Sequence, residues 1–217
     1  MLVKKGKPEG IGIVFLHGYG ANGADLFSLA GELAWSDRES WYFPDAPIEV
    51  PLGPHSVGRA WFPIPLRELQ VGVDYSNATP PGLERAVNQV KTVLKSLPHK
   101  KFILAGFSQG AMLATQIVLM EPEAFAGLAI LSGTLVHSSV WKKAATSAKK
   151  PLAIFQSHGV LDPVLSIEGA VKLNDLLNES GWNGNLLTFR GGHEIPSGVI
   201  RDLKSYLRHQ VSKLQPD

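Results

Sequence analysis

The sequence predicts an α/β fold, with a mostly parallel central sheet and helices on both of its faces. Short and nearly continuous apolar runs recur along the chain, as expected for strands that are buried on both faces of a sheet. Longer segments between them repeat apolar residues every three or four positions, which is typical of helices packed on a core. The chain has 217 residues, 44% hydrophobic and 18% charged, so we expect one globular domain spanning 1–217.

The predicted strands and helices alternate along the chain, which favours parallel strands joined by helical crossovers. Strands are expected at 11–16, 41–43, 102–105, 128–131, 152–155 and 186–189. Helices are expected at 26–33, 83–97, 111–120, 166–180 and 196–211.

Two segments carry no clear period. The stretch 44–81 contains eight of the 15 prolines and is expected to be one long functional loop. The segment 132–150 is short and contains Trp141 among several lysines without an evident apolar face. We therefore expect it to be a solvated surface, too short to form a lid over the site.

Composition excludes several classes of function. The net charge is only +2, with 21 basic and 19 acidic residues, so nothing indicates a nucleic-acid partner. The chain has no cysteine, which excludes a disulfide, a thiolate nucleophile and a cysteine metal site. The first ten residues are polar, and the apolar run at 11–16 is too short for a signal core or a membrane span. We expect a cytoplasmic protein without stable membrane insertion.

The pentapeptide GFSQG at 106–110 lies directly between two apolar runs, an order that predicts a strand, a sharp turn and a helix. Gly106 and Gly110 meet the demand for flanks without side chains, because the chain nearly touches itself on either side of such a turn. The turn would lift Ser108 Oγ above the sheet edge, where a base and a substrate carbonyl can reach it. Ser108 is therefore the candidate nucleophile.

A base and an acid for Ser108 should lie in loops at the carboxyl ends of the strands. Of the histidines after Ser108, only His158 and His193 closely follow a predicted strand. Asp162 alone among the intervening acids lies just beyond a strand, and the order nucleophile, acid, base then selects His193 as the base. His158 is interpreted as structural, bonded to backbone near the acid loop. The acids set aside lie on helices or at a helix end: Glu121, Glu123, Glu168, Asp175 and Glu179.

Acyl transfer also needs donors for the oxyanion that forms during attack. The backbone N–H of Gln109, at the start of the predicted helix, is one candidate. The other is the backbone N–H of Tyr19, in the glycine loop HGYG that follows the first buried strand.

Four apolar residues of the long loop have two interpretations that the sequence leaves open. They either line a pocket for the acyl chain or anchor the loop onto the core. These residues are Trp61, Phe62, Ile64 and Leu66.

Six ordered motifs, FLHGYGANG, FPDAP, AWF, GFSQG, HGVLDPV and GGHEIP, resemble the carboxylesterase/phospholipase family of α/β-hydrolases. This family includes bacterial carboxylesterases and acyl-protein thioesterases. The resemblance covers nearly the whole chain and implies a single-domain α/β-hydrolase fold without a large lid domain. It also implies the same triad and oxyanion residues, with neither a cofactor nor a metal.

For function, the resemblance implies an esterase or thioesterase acting on acyl chains. Because the segment 132–150 is too short for a lid, we expect an open, shallow site that accepts small to medium acyl esters, with acyl thioesters or lysophospholipids as further substrates. Relatives often pair as dimers, so it also suggests a homodimer. Two alternatives remain at this point. One is a ligand-binding or sensor protein that keeps the triad but turns over slowly, and the other is an amide or peptide hydrolase.

Overall fold

The computed structural model describes residues 1–7, 10–64 and 74–214. In chain order its strands are β1 (Leu2–Lys4), β2 (Ile11–Leu16), β3 (Glu39–Phe43), β4 (Ile48–Gly53), β5 (Ser56–Ala60), β6 (Phe102–Phe107), β7 (Phe125–Leu131), β8 (Ile154–Gly159) and β9 (Leu186–Phe189). Within these ranges the main sheet has seven strands in the order β1-β3-β2-β6-β7-β8-β9. Only β1 runs antiparallel to its neighbour, so the prediction of a mostly parallel sheet is confirmed.

Helices cover both faces of this sheet. They are α1 (Gly23–Phe27), α2 (Leu29–Leu33), α3 (Leu83–Ser96), α4 (Gln109–Met120), α5 (Ser138–Ser147), α6 (Ile167–Glu179) and α7 (Ser197–Ser212). One core packs the sheet against α3, α4, α5 and α6, and the other packs it against α1, α2 and α7. Val14 belongs to the first core and Ile13 to the second, and both are fully buried. Burial on both faces explains why β2 reads as an unbroken apolar run.

Helix α4 occupies the centre of the fold. It packs against β6 and β7, and every residue from Gln109 to Leu119 is buried. This explains why its sequence is apolar on nearly every side. The position is important for the site, because the first turn of α4 directly follows Ser108.

The prediction that 44–81 is a loop throughout was wrong. The segment contains β4 and β5, which form an antiparallel hairpin separate from the main sheet. Most residues of β4 are exposed and only Val50 is buried, so the strand lacks the continuous apolar run of the main-sheet strands. Pro51 also lies within β4, and a two-stranded hairpin tolerates proline because its outer edge needs no donor.

The segment 132–150 also differs from the prediction, since it forms helix α5. Trp141 and Ala145 are fully buried on the face that packs towards α4 and α6, while the lysines remain outside. Its helix therefore belongs to one of the layers that cover the sheet. No helix of the described ranges is long and apolar enough to cross a membrane.

Candidate active site

Ser108 lies at the turn between β6 and α4 in a backbone conformation that non-glycine residues rarely adopt, with φ 55° and ψ −118°. Its N–H donates to Leu131 O at 2.9 Å, which ties the turn to the end of β7. A Cβ at Gly106 would lie 2.2 Å from Gly110 O, and a Cβ at Gly110 would lie 2.1 Å from Leu16 O. Neither glycine can carry a side chain, as the sequence predicted.

The structure brings Asp162 and His193 into direct contact. Asp162 follows β8 and His193 follows β9, the next strand of the sheet. His193 Nδ1 is 2.6 Å from Asp162 Oδ2. These two predicted partners, 31 residues apart in the chain, therefore form one hydrogen-bonded pair at the carboxyl edge of the sheet.

The imidazole of His193 also lies beside the turn that carries Ser108. Its ring centroid is 4.8 Å from that of Phe107, the residue immediately before Ser108. Within the described residues, Ser108 Oγ and His193 form no hydrogen bond. Catalytic hydrogen bonds are often long in the free enzyme and shorten when substrate binds.

The carboxylate of Asp162 is fully buried and held on both of its oxygens. Oδ1 accepts the backbone N–H groups of Val164 and Leu165 at 2.8 and 2.9 Å, and Oδ2 accepts from His193. Burial by itself would raise the pKa of Asp162, but the hydrogen bonds from His193, Leu165 and Val164 outweigh it and lower this pKa. The ionised acid fixes the proton of His193 on Nδ1, which leaves Nε2 free to accept one.

His158 is fully buried beside this pair. Its Nε2 is 2.9 Å from Leu165 O and 3.3 Å from Asp162 Oδ2. The backbone contact agrees with the structural role predicted from sequence. The contact with the acid was missed, although the spacing of four residues between His158 and Asp162 was visible.

The loop after β2 lies against Ser108, the candidate nucleophile. A Cβ at Gly18 would lie 3.3 Å from Ser108 Cβ, so the glycine allows this close approach. His17 Nε2 accepts the Ala46 N–H, which leaves Nδ1 protonated to donate to Gly18 O at 2.7 Å. Because a trans peptide directs its C=O and N–H to opposite sides, the N–H of Tyr19 points away from His17.

Two backbone N–H groups near Ser108 are candidates for binding an oxyanion. In the part of the chain that the structure describes, neither the Tyr19 N–H nor the Gln109 N–H has an acceptor. One belongs to the glycine loop and the other to the first turn of α4. They are the two donors that the sequence singled out for an oxyanion.

The four apolar residues of the 44–81 segment are placed differently from one another. Trp61 and Phe62 are almost fully buried in the core, which fits the anchoring interpretation. Ile64 is partly buried and packs against the same core. Leu66 lies outside the described residues.

Within the described residues, no group of three or more histidine, aspartate or glutamate side chains could hold a metal ion.

Comparisons with known proteins agree with this architecture. Residues 1–211 match the family model described as Phospholipase/Carboxylesterase. Acyl-protein thioesterase 1 of Saccharomyces cerevisiae is 27% identical over 214 residues, covering 92% of each chain. Carboxylesterase SOBER1 of Arabidopsis thaliana is 29% identical over 212 residues, covering 92% of this chain and 90% of its own.

Solved structures show the same fold. Esterase PE8 superposes with a TM-score of 0.78 at 26% identity, covering 96% of this chain and 97% of its own. SOBER1 of Arabidopsis thaliana superposes with a TM-score of 0.73 at 25% identity, covering 92% of this chain and 98% of its own. The family model spans nearly the whole chain, from the first strand to the last helix. The chain therefore belongs to the phospholipase/carboxylesterase family, with an α/β-hydrolase fold.

Proposed function

We propose that this protein is a serine esterase that cleaves carboxylic esters through an acyl-enzyme, with Ser108, His193 and Asp162 as its catalytic triad. The observation that carries the proposal is the 2.6 Å bond between His193 and a buried, ionised Asp162, beside the strained turn of Ser108. A polarised imidazole next to a partly exposed hydroxyl on a sharp turn is the arrangement that activates a serine.

Each residue has a defined step. His193 Nε2 takes the proton of Ser108 Oγ as this oxygen attacks the substrate carbonyl carbon, and it then protonates the leaving alcohol or thiol. Asp162 keeps the proton of His193 on Nδ1 and stabilises the imidazolium. Water attacks the resulting acyl-enzyme by the same route, which releases the acid and restores Ser108.

The tetrahedral intermediates carry a negative charge on the former carbonyl oxygen. We assign the N–H groups of Tyr19 and Gln109 to this oxygen because both lie next to Ser108 and lack a protein acceptor among the described residues. Loss of one such donor typically slows catalysis by about 10² to 10³.

The substrates we propose are small to medium acyl esters, with acyl thioesters and lysophospholipids as further members of the class. The names of the relatives support this range, since they include carboxylesterases and acyl-protein thioesterases. Trp61, Phe62, Ile64 and Leu66 remain candidates for the acyl-binding wall. The proposal includes a cytoplasmic location and a homodimer, for which size-exclusion chromatography with light scattering is the direct test.

The test is the Ser108→Ala variant, which should lower kcat on a p-nitrophenyl acyl ester by about 10⁶-fold. Ser132→Ala is a matched control, because Ser132 directly follows the neighbouring strand β7 and also has a positive φ of 47°. Its activity should stay close to that of the wild type. Retention of most activity by Ser108→Ala would remove Ser108 from the mechanism.

The two alternative functions differ from an esterase in measurable ways. A slow sensor protein would be labelled by a fluorophosphonate yet hydrolyse p-nitrophenyl esters hardly faster than its Ser108→Ala variant. An amide hydrolase would cleave an acyl anilide at a rate comparable to that of the matching ester. We expect rapid ester turnover and slow anilide turnover.

A further inference from the structure

The side chain of Gln109 is fully buried and bonded at both ends to one dipeptide. Its Oε1 accepts the Trp61 N–H at 2.9 Å, and its Nε2 donates to Phe62 O at 2.7 Å. We propose that Gln109 is a positioning residue that joins the two halves of the oxyanion hole through Trp61. The inference rests on the proposed function, since it assigns a role to a side chain behind that site.

A chain of hydrogen bonds runs from Gln109 to the other donor. The indole Nε1 of Trp61 donates to His17 O at 2.9 Å. The imidazole of His17 then donates to Gly18 O, which orients the peptide that carries the Tyr19 N–H. The N–H groups of Gln109 and Tyr19 are thus linked through the buried side chains of Gln109, Trp61 and His17.

The hairpin supports the other side of the same loop. Gly20 N–H donates to Arg59 O at 2.9 Å, and Arg59 N–H donates to Ala21 O at 3.0 Å. A Cβ at Gly58 would lie 2.0 Å from Gly20 O, so β5 packs directly on the loop. Trp61 and Phe62 follow β5 immediately. The bonds of Gln109 therefore connect β5, the strand that packs on the loop, to the start of α4.

The physical need for such a link follows from how an oxyanion hole works. Its donors act on a charge that exists only in the transition state, so they must be fixed before the reaction begins. Tyr19 lies in a glycine-containing loop, and among the described residues no backbone hydrogen bond joins this loop to α4. A buried amide with both ends bonded holds the two elements in one geometry, because breaking either bond would leave a buried polar group unpaired.

Gln109→Met tests the link while keeping the backbone N–H of residue 109. Methionine has a similar length but cannot bond Trp61 or Phe62. We expect kcat to fall by about 10- to 100-fold with KM changed by less than about threefold. The reason is that misplaced donors stabilise the transition state less, while the binding of the substrate hardly changes. The rate at which a fluorophosphonate labels Ser108 should fall by a similar factor, because that reaction also develops a negative oxygen in the hole.

Trp61→Phe breaks the link at a second point. It removes the indole N–H that bonds His17 O and keeps the backbone N–H that bonds Gln109. The same pattern of lower kcat and slower labelling is expected. The double variant should lose less than the product of the two single losses, because both changes break one link. If Gln109→Met does not fold, Trp61→Phe tests the same link independently.

Gln116→Met is the matched control. Gln116 is buried on the same helix and accepts from the indole of Trp141, in the layer formed with α5. This variant should lose a comparable amount of thermal stability while kcat and the labelling rate stay within about twofold of the wild type. The proposal is overturned if the Gln109 or Trp61 variants match Gln116→Met in their kinetics. That result leaves Ser108 as nucleophile, whereas a wild type that does not react with the fluorophosphonate would overturn the proposed function itself.

Discussion

Asp162→Asn changes one atom of the site with a consequence that the hydrogen bonds dictate. Val164 and Leu165 both donate N–H groups to Oδ1, so the asparagine must place its oxygen there. Its NH₂ group then takes the place of Oδ2 and faces His193 Nδ1. Two donors cannot bond each other, and His193 must therefore move its proton from Nδ1 to Nε2.

The tautomer change removes the base. With the proton on Nε2, His193 has no lone pair for the hydroxyl of Ser108. In triads of this kind such a change lowers kcat by about 10⁴-fold, which corresponds to about 5.5 kcal/mol of transition-state stabilisation. KM should change by less than about threefold, because Asp162 is buried behind the imidazole and does not face the substrate.

The assay is steady-state hydrolysis of a p-nitrophenyl ester by the purified variant, with thermal unfolding recorded alongside. Asp74→Asn is a suitable control, because Asp74 accepts the N–H of Ser76, two residues on, as Asp162 accepts that of Val164. Asp74 is bonded to Lys172 instead of a histidine, and its variant should retain kcat within about twofold. A folded Asp162→Asn enzyme with more than a tenth of wild-type kcat would refute the assignment of Asp162.

Contacts and charges give two further predictions. Gly106→Ala should destabilise the fold by more than about 3 kcal/mol in chemical denaturation, because the new Cβ would meet Gly110 O. Gly31→Ala is the control: its Cβ would lie in open space, and the change should stabilise α2 by about 0.5 to 1 kcal/mol. Burial lowers the pKa of His17, so the unfolded chain binds a proton at this histidine more readily than the folded chain does. The free energy of unfolding should therefore decrease as the pH is lowered below about 6.5. His17→Asn should flatten that part of the stability profile measured by denaturant titration, and an unchanged slope would count against a neutral His17.

The elements best predicted from sequence are those whose burial is continuous. Strand β2 is covered on both faces of the main sheet, and α4 is buried all round, so their residues form apolar runs that the sequence shows directly. The turn at Ser108 was also predictable, since only glycine fits where the backbone of Gly106 meets that of Gly110. The bond between Asp162 and His193 followed from the rule that functional loops gather at one edge of a parallel sheet.

The hairpin of β4 and β5 was missed because its stability depends on contacts that sequence periodicity does not report. Its residues are mostly exposed, and its position is set by backbone bonds to Gly20 and Ala21. Helix α5 was missed for a related reason. Its buried residues are Trp141 and Ala145, and one large side chain followed by lysines gives no clear helical period.

The side-chain bonds of Gln109 could not be predicted either. Its place after Ser108 indicated a backbone donor, but nothing in a single sequence tells that its amide reaches a dipeptide 47 and 48 residues away. Contacts of this length depend on the packing of whole elements, here β5 against the loop after β2. They become visible only in the folded structure.

The claim on which the account depends is that Ser108 is the residue acylated during turnover. Mass spectrometry of the protein after brief incubation with a fluorophosphonate, followed by proteolysis, tests this claim directly. We expect one adduct per chain on the peptide that contains Ser108, loss of ester hydrolysis in step with labelling, and no adduct in the Ser108→Ala variant. An adduct on another residue, or full hydrolysis by a chain already labelled at Ser108, would contradict it.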